Sequence, residues 1–139
     1  SVCMTEKIEF ACSAWVEKAR QVLEELVAEQ GEEGRTFSIC ERFTDAPITV
    51  AASSTAAWHF YIDGLQVRVG EGEVDDTDVK VSADYTETLP NARLVYTPEI
   101  LAERARQPPG ETSVVVEGDM SIMPQYLIEM HNRMAVLTA

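Results

Sequence analysis

Towards its C-terminus, the chain spaces its apolar side chains three or four positions apart, with polar residues in between. The stripe consists of Met120, Met123, Leu127, Met130, Met134 and Leu137. This spacing predicts a single α-helix with one apolar face, for which Ser121 could be the cap and Pro124 lies in the first turn. Most such stripes belong to a hydrophobic core, but methionine is flexible and polarizable, so a methionine-lined wall can also adapt to ligands of different shape.

The same period predicts a long amphipathic helix near the N-terminus, over residues 6–29. Thr5 is suited to cap its start, and Gly31 is suited to end it. The apolar face consists of Ile8, Ala11, Cys12, Trp15, Ala19, Val22, Leu23 and Leu26. A helix of this kind covers a hydrophobic core with one side and meets solvent with the other.

A shorter helix is predicted over residues 98–106. It begins with Pro98 and Glu99, and a proline followed by an acid is typical of a first helical turn. The segment before it is ambiguous, although Asp84 could cap a short helical turn that ends at Pro90.

Elsewhere apolar and polar residues alternate, which is typical of half-buried strands. Alternation predicts strands over residues 36–43, 57–69 and 79–83, and residues 47–52 could add an edge strand. A β-branched run predicts a further strand over residues 112–117. The second of these segments contains Asp63-Gly64, a tight-turn signal, and therefore predicts a β-hairpin. The order of these elements predicts an α+β fold, with helices covering one face of a mostly antiparallel sheet.

The chain has 139 residues, most simply one domain, and a formal net charge of −13 from 11 Lys and Arg against 24 Asp and Glu. Such acidity opposes binding to nucleic acid and to anionic membrane surfaces, so no nucleic-acid partner is predicted. No apolar run approaches the ~20 residues of a membrane-spanning helix, so no integral membrane association is expected. Three cysteines (Cys3, Cys12 and Cys40) without a paired motif argue against disulfides and structural zinc and favour a cytoplasmic location.

Few side chains in the sequence have a group and a position that suggest catalysis. His59, Tyr61 and Asp63 share one strand face, where a His–Asp pair could relay a proton, although a water-exposed polar face has the same pattern. His131 borders the methionine stripe, and Asp119 precedes the terminal helix, where a carboxylate is typical of a cap.

The acidic residues 71–78 lack the spacing of a calcium-binding loop, and we interpret them as a solvated hairpin tip. No motif for a catalytic nucleophile, a phosphate or a dinucleotide occurs. Neither a metal nor a cofactor is therefore predicted.

Three segments together resemble the sterol carrier protein type 2 family of lipid-transfer domains. Residues 57–70 (AWHFYIDGLQVRVG) resemble its central hairpin, and residues 78–84 (DVKVSAD) resemble its Asp-led strand before a short helix. Residues 113–120 (SVVVEGDM) resemble its late strand, which leads to an apolar terminal helix. The resemblance extends in element order over roughly residues 6–137, and the connection from Pro90 to Gly110 is longer than is usual in the family.

The resemblance implies a five-stranded sheet covered by helices and non-enzymatic binding of a fatty acyl or sterol-like molecule in an internal cavity. The leading hypothesis is therefore an apolar-ligand-binding protein, whose site is mostly apolar with a few polar anchors. The expected cavity wall consists of Met120, Met123, Leu127, Met130 and Met134 on the terminal helix, facing Phe37, Ile39, Trp58, Phe60 and Val81 on the sheet.

Two alternatives stay open. A small isomerase or cyclase acting on an apolar substrate could use His59 with Asp63, or His131 with Asp119, as proton carriers. A dimerising accessory domain could instead bury the apolar stripe against a second copy of the chain, which would make the protein a homodimer.

Overall fold

A computed structural model describes residues 7–106 and 114–139 of the chain. Its helices and strands, in chain order, are α1 (Ser13–Gln30), β1 (Thr36–Thr44), β2 (Ala56–Asp63), β3 (Gln66–Glu71), β4 (Val79–Asp84), α2 (Tyr85–Ala92), α3 (Pro98–Arg106), β5 (Val115–Glu117) and α4 (Tyr126–Ala135). The strands form one five-stranded sheet, so the predicted α+β fold is confirmed.

Strand β1 lies at the centre of the sheet, whose strand order is β3-β2-β1-β4-β5. It runs parallel to β4, and every other pairing in this sheet is antiparallel. Because side chains alternate along a strand, every second residue from Phe37 to Phe43 points to one face, which we call the inner face. The opposite side is the outer face. The register places Trp58 and Val81 on either side of Glu41, on the inner face.

Helices cover the inner face, as expected. Helix α1 packs against β3 and α4, and α2 packs against β4 and α4. Phe10 lies within the core, with ring centroids 5.1 Å from Trp15, 4.8 Å from Phe43 and 5.4 Å from Tyr85. Such edge-on and tilted ring contacts add to the stabilisation that burial of the rings provides. None of the helices within residues 7–106 and 114–139 has the length and apolar composition needed to cross a bilayer.

The first helix is shorter than predicted. Its expected start falls on an extended segment, because Ile8 forms a β-bridge with Thr138 beside the C-terminus. Ala11 then adopts a left-handed backbone conformation (φ 63°), which no residue inside an α-helix has. Ile8, Ala11 and Cys12 therefore continue the helical spacing in the sequence but precede the helix in space. Thr5 lies outside the described residues.

Strands β2 and β3 form the predicted hairpin, and Gly31 follows α1 as predicted. The reason for this glycine is steric. A Cβ atom on Gly31 would lie 2.4 Å from the carbonyl oxygen of Val27 and 2.7 Å from that of Gly64 in the hairpin turn. The end of the helix and the tip of the hairpin therefore approach each other through a residue without a side chain.

Residues 47–52 form turns, and the edge strand predicted there is absent from the structure. The Val50 N–H donates to the Pro47 carbonyl oxygen at 2.9 Å, which closes a turn within the segment.

Helix α2 has the predicted cap but a different end. The Asp84 carboxylate accepts the Glu87 N–H at 2.9 Å. The helix continues through Pro90 to Ala92, so the proline does not end it.

The interpretation of residues 71–78 as a hairpin tip is wrong. They connect β3 to β4, which lies on the other side of β1, and so they cross the outer face of the sheet. Their contacts with outer-face residues are Glu73 with Arg42 (3.3 Å), Asp76 with Tyr61, and Asp78 with Ser38 (2.9 Å). Three of the acidic side chains in this segment are therefore paired with groups on the strands.

The predicted terminal helix is divided into two parts. A 3₁₀ helix (Met120–Ile122) comes first, and α4 begins only after Pro124. Met123 is extended (φ −62°, ψ 128°), because the residue before a proline is disfavoured from helical geometry. Asp119 is a cap, as predicted, since its carboxylate accepts the Ser121 N–H at 2.9 Å at the start of the 3₁₀ helix. Ser121, the other predicted cap, lies within that 3₁₀ helix instead.

Candidate functional site

The inner face of the sheet and the C-terminal segment enclose a cleft of about 330 Å³. This volume is at the lower end of the roughly 300–1,000 Å³ found for small-molecule sites. The sheet side of its wall includes Phe37, Ile39, Trp58, Phe60 and Val81, and the C-terminal side includes Met120, Met123, Leu127 and Met130. The structure therefore brings together every residue predicted for the wall except Met134.

Met134 lines a smaller, neighbouring cavity of about 100 Å³ together with Trp15 and Phe43. It is 2% exposed and belongs to the packed core. The residues that line both cavities are Glu41, Trp58, Asn91, Met130 and His131. These shared side chains lie between the cleft and the smaller cavity.

The apolar side chains of Val114, Val116 and Met120 line the cleft beside β5 but remain 46%, 45% and 38% exposed. This side of the cleft is therefore open to solvent. Gly118 then turns the chain with a φ of 99°, and a Cβ atom there would lie 2.2 Å from the Asp78 carbonyl oxygen. The path from β5 to the methionine segment depends on this glycine.

Glu41 supplies the one carboxylate among the described residues that line the cleft. It keeps some accessible surface because it faces the cleft. Burial raises the pKa of Glu41 to about 7, and the nearby Trp58 indole has the smaller, opposite effect. Glu41 therefore gains or loses its proton close to neutral pH.

Trp58 is 1% exposed. Within the described part of the chain, its indole N–H is the one buried side-chain polar group that has no hydrogen-bond partner. Glu41 is its register partner on β1. The indole N–H lies close enough to lower the pKa of the Glu41 carboxyl, although it forms no hydrogen bond of normal geometry. Leaving a buried donor unpaired costs about 1–3 kcal/mol. An acceptor placed beside the indole N–H would remove this cost.

His131 and Tyr96 add a second polar part to the wall. Their rings stack with centroids 3.9 Å apart and an interplanar angle of 4°. His131 Nε2 lies 2.8 Å from the Leu94 carbonyl oxygen, and the Tyr96 hydroxyl donates to Asn91 Oδ1 at 2.9 Å. Because burial lowers the pKa of His131, its ring is neutral near pH 7 and donates Nε2–H to Leu94.

Known structures identify the fold around this cleft. No protein-family model matches the chain, and no curated protein matches it in sequence. The crystal structure of sterol carrier protein 2 aligns with 94% of this chain and 100% of its own chain, with a TM-score of 0.56 and 13% sequence identity. The chain has the sterol carrier protein 2 fold.

Two other structures align less well. A conserved hypothetical protein from Thermus thermophilus aligns over 94% of this chain and 92% of its own, with a TM-score of 0.48 and 14% identity. The ubiquinone synthesis protein UbiJ-SCP2 aligns over 91% of this chain and 95% of its own, also with a TM-score of 0.48 and 14% identity. Because one fold hosts many functions, the role of the cleft depends on its own residues.

Neither histidine considered for catalysis is hydrogen-bonded to its proposed aspartate in the described residues. His59 lies on the outer face, with Nδ1 2.8 Å from the Gly72 carbonyl oxygen. Asp63 is four positions further along the same strand, which at the usual rise is about 13 Å away. Asp119 caps the 3₁₀ helix, whereas His131 is bonded to the connection between α2 and α3.

Within the described residues, no group of three or more His, Cys, Asp or Glu side chains is arranged to hold a metal ion. Cys12 and Cys40 are free thiols. Burial, the largest effect, raises the pKa of Cys40, which opposes formation of a reactive thiolate.

Sequence reasoning placed His131 beside the methionine stripe but missed Glu41, Asn91 and Tyr96, the other polar residues of the cleft. A signal for Glu41 did exist, because the alternation from Phe37 to Phe43 places it on the apolar face, where a carboxylate is out of place. Asn91 and Tyr96 had no such signal. They lie in the ambiguous segment before α3, and they reach the cleft through the tertiary packing of α2.

Proposed function

We propose that this protein binds an apolar small molecule of the fatty acyl or sterol-like class in the cleft, without changing it chemically. The supporting observation is the cleft itself, in which methionine and leucine side chains face aromatic and aliphatic residues of the sheet. The name of sterol carrier protein 2, which has the same fold, adds support for a lipid-like cargo. Flexible methionine side chains would allow the wall to adapt to more than one ligand shape.

Hydrocarbon burial would provide the driving force. Each methylene that leaves water contributes about 0.8 kcal/mol, which is roughly a fourfold gain in affinity. On the sheet side, β1 runs from Glu41 to Phe37, about 13 Å along the strand. The affinity for straight-chain ligands should therefore rise with chain length and level off once the cleft is filled.

A chain-length series tests this proposal. We expect 1-alkanols from octanol to hexadecanol, titrated by calorimetry, to bind with increasing affinity and then to reach a plateau. Absence of binding at every chain length would contradict the proposed function.

A pair of variants locates the site. Val81 lines the cleft on the inner face, so Val81→Phe should fill it and weaken 1-dodecanol binding at least tenfold. Val115 is 59% exposed, and its side chain lies on the outer face, so Val115→Phe adds the same ring outside the cleft and should leave binding unchanged. Equal affinities of both variants and the wild type would show that the ligand binds elsewhere.

The geometry gives no reason to propose a reaction for this protein. His59 lies on the outer face, so His59→Ala should leave ligand affinity unchanged.

A homodimer and a cytoplasmic location stay predictions from the sequence. Light scattering would test the first, and cell fractionation would test the second.

A further inference from the structure

One end of the cleft presents a buried hydrogen-bond donor without an acceptor beside a carboxylic acid side chain. The Trp58 N–H is buried and unpaired, and Glu41 is its register partner on the central strand. Both residues line the cleft. Folded proteins rarely leave a buried N–H unpaired, so this one, on the wall of a cleft, is available to an acceptor that enters with a ligand.

We infer that Trp58 and Glu41 together bind the head group of the ligand, and that this ligand is a neutral amphiphile ending in a hydroxyl group. The inference rests on the proposed function of the cleft. A hydroxyl oxygen can accept the Trp58 N–H while its own proton is donated to a Glu41 carboxylate oxygen. One hydroxyl group thus satisfies both residues, which a bare hydrocarbon does not.

An ionised fatty acid matches this end poorly. Its carboxylate has no proton to donate to Glu41, and two carboxylates in one buried place cannot both stay ionised. No lysine or arginine is present among the described residues that line the cleft, and His131 is neutral near pH 7. A carboxylate head group would therefore lack a compensating positive charge.

Few other titratable groups face Glu41. Around the cleft, α4 contributes His131 and the connection after α2 contributes Tyr96, whereas β2, β4 and α2 present Trp58, Val81 and Asn91. Helix α1 faces the adjoining cavity with Trp15. Since the pKa of Glu41 is about 7, the rejection of carboxylate ligands should increase as pH rises through neutrality.

Calorimetric titration of three ligands that share one hydrocarbon chain tests the inference. The ligands are 1-dodecanol, its methyl ether, which cannot donate a proton, and dodecanoate. At pH 8.5 we expect the alcohol to bind about tenfold more tightly than the ether, because a hydrogen bond to a charged group is lost in the ether. Dodecanoate should bind about tenfold more weakly at pH 8.5 than at pH 6. The alcohol should bind at least as tightly at pH 8.5 as at pH 6.

Two variants separate the roles of the paired residues. Glu41→Gln keeps the side-chain volume, so dodecanoate should bind it equally well at both pH values and about tenfold more tightly than it binds the wild type at pH 8.5. The matched control is Glu24→Gln on the exposed side of α1, which should behave as the wild type. Trp58→Phe removes the N–H, so the alcohol and the ether should both lose affinity and keep their ratio.

The outcomes distinguish this inference from the proposed function. If the three ligands bind the wild type equally at both pH values, or if dodecanoate binds more tightly at pH 8.5, the head-group inference is overturned while the apolar cleft stands. If none of the three binds, the proposed function itself fails. Circular dichroism of each variant checks that a loss of affinity does not reflect a loss of fold.

Discussion

The two faces of the sheet surround their carboxylates in opposite ways. On the inner face, Glu41 lies among apolar side chains, and burial raises its pKa to about 7. On the outer face, Asp76 accepts a hydrogen bond from the Tyr61 hydroxyl, and this bond lowers the pKa of Asp76. The contrast shows that hydrogen-bond donors and access to water, rather than proximity to the sheet, decide whether a carboxylate is stable there as an ion.

The outer face also uses its acids to build structure. The Asp78 carboxylate accepts the Ser38 N–H at 2.9 Å and the Ser38 hydroxyl at 3.1 Å, and the Asp78 N–H donates to that hydroxyl at 2.8 Å. These bonds join the start of β4 to β1 and extend their parallel ladder by one residue. The carboxylate of Glu41 has no comparable set of donors.

The largest effect is expected for Glu41→Gln. The folded protein holds this proton to a higher pH than the unfolded chain, so ionisation of Glu41 should reduce stability as pH rises from 4.5 to about 7 and no further. A shift of this size corresponds to about 3 kcal/mol. Without ligand, Glu41→Gln should therefore be more stable than the wild type at pH 8 by up to this amount, measured by urea unfolding, and the two should converge near pH 4.5. Equal stability at pH 8 would show that Glu41 is solvated.

On the outer face, Asp78→Ala should have a smaller effect of the opposite sign. It removes the acceptor of the Ser38 N–H and of the Ser38 hydroxyl proton, and Ser38 is 7% exposed. We expect a loss of about 2 kcal/mol in the free energy of unfolding. Asp75→Ala, at an exposed position of the same crossover, is the control and should change stability by no more than about 0.5 kcal/mol. A loss of similar size in both variants would contradict a specific role for Asp78.

The smallest effect is expected for Glu73→Gln, which removes an outer-face carboxylate that is 56% exposed and pairs with Arg42 at 3.3 Å. Exposed ion pairs contribute little to stability, so the free energy of unfolding at pH 8 should change by less than about 0.5 kcal/mol. This variant matches Glu41→Gln in chemistry and differs in location. If both substitutions raised stability equally at pH 8, the net charge of the chain, rather than burial of Glu41, would explain the gain.

Most of the fold could be predicted because local patterns determine it. Alternation located β1, the hairpin and β4, and the apolar residues of the C-terminal stripe reach the cleft with the exception of Met134 and Leu137. The prediction of one terminal helix was wrong because periodicity ignores backbone geometry: Pro124 holds Met123 extended. The methionines still share a wall, since the 3₁₀ helix places Met120 against the same side of the sheet.

The remaining differences arise from contacts between residues far apart in the sequence. Ile8 and Ala11 fit a helical pattern, but the bridge from Ile8 to Thr138 draws the N-terminal segment into an extended conformation. Asn91 reaches the cleft because α2 packs against β4 and α4. No local spacing encodes either arrangement, so a pattern-based reading could not supply them.

Mass spectrometry of the purified protein, first under native and then under denaturing conditions, is the most direct test of the central claim that the cleft binds an apolar ligand. We predict a lipid-sized mass bound to the native protein, either co-purified or acquired from a lipid mixture, and its release on denaturation. Val81→Phe should lose this mass, and Val115→Phe should keep it. A native mass equal to that of the bare chain after incubation with the lipid mixture would contradict the account.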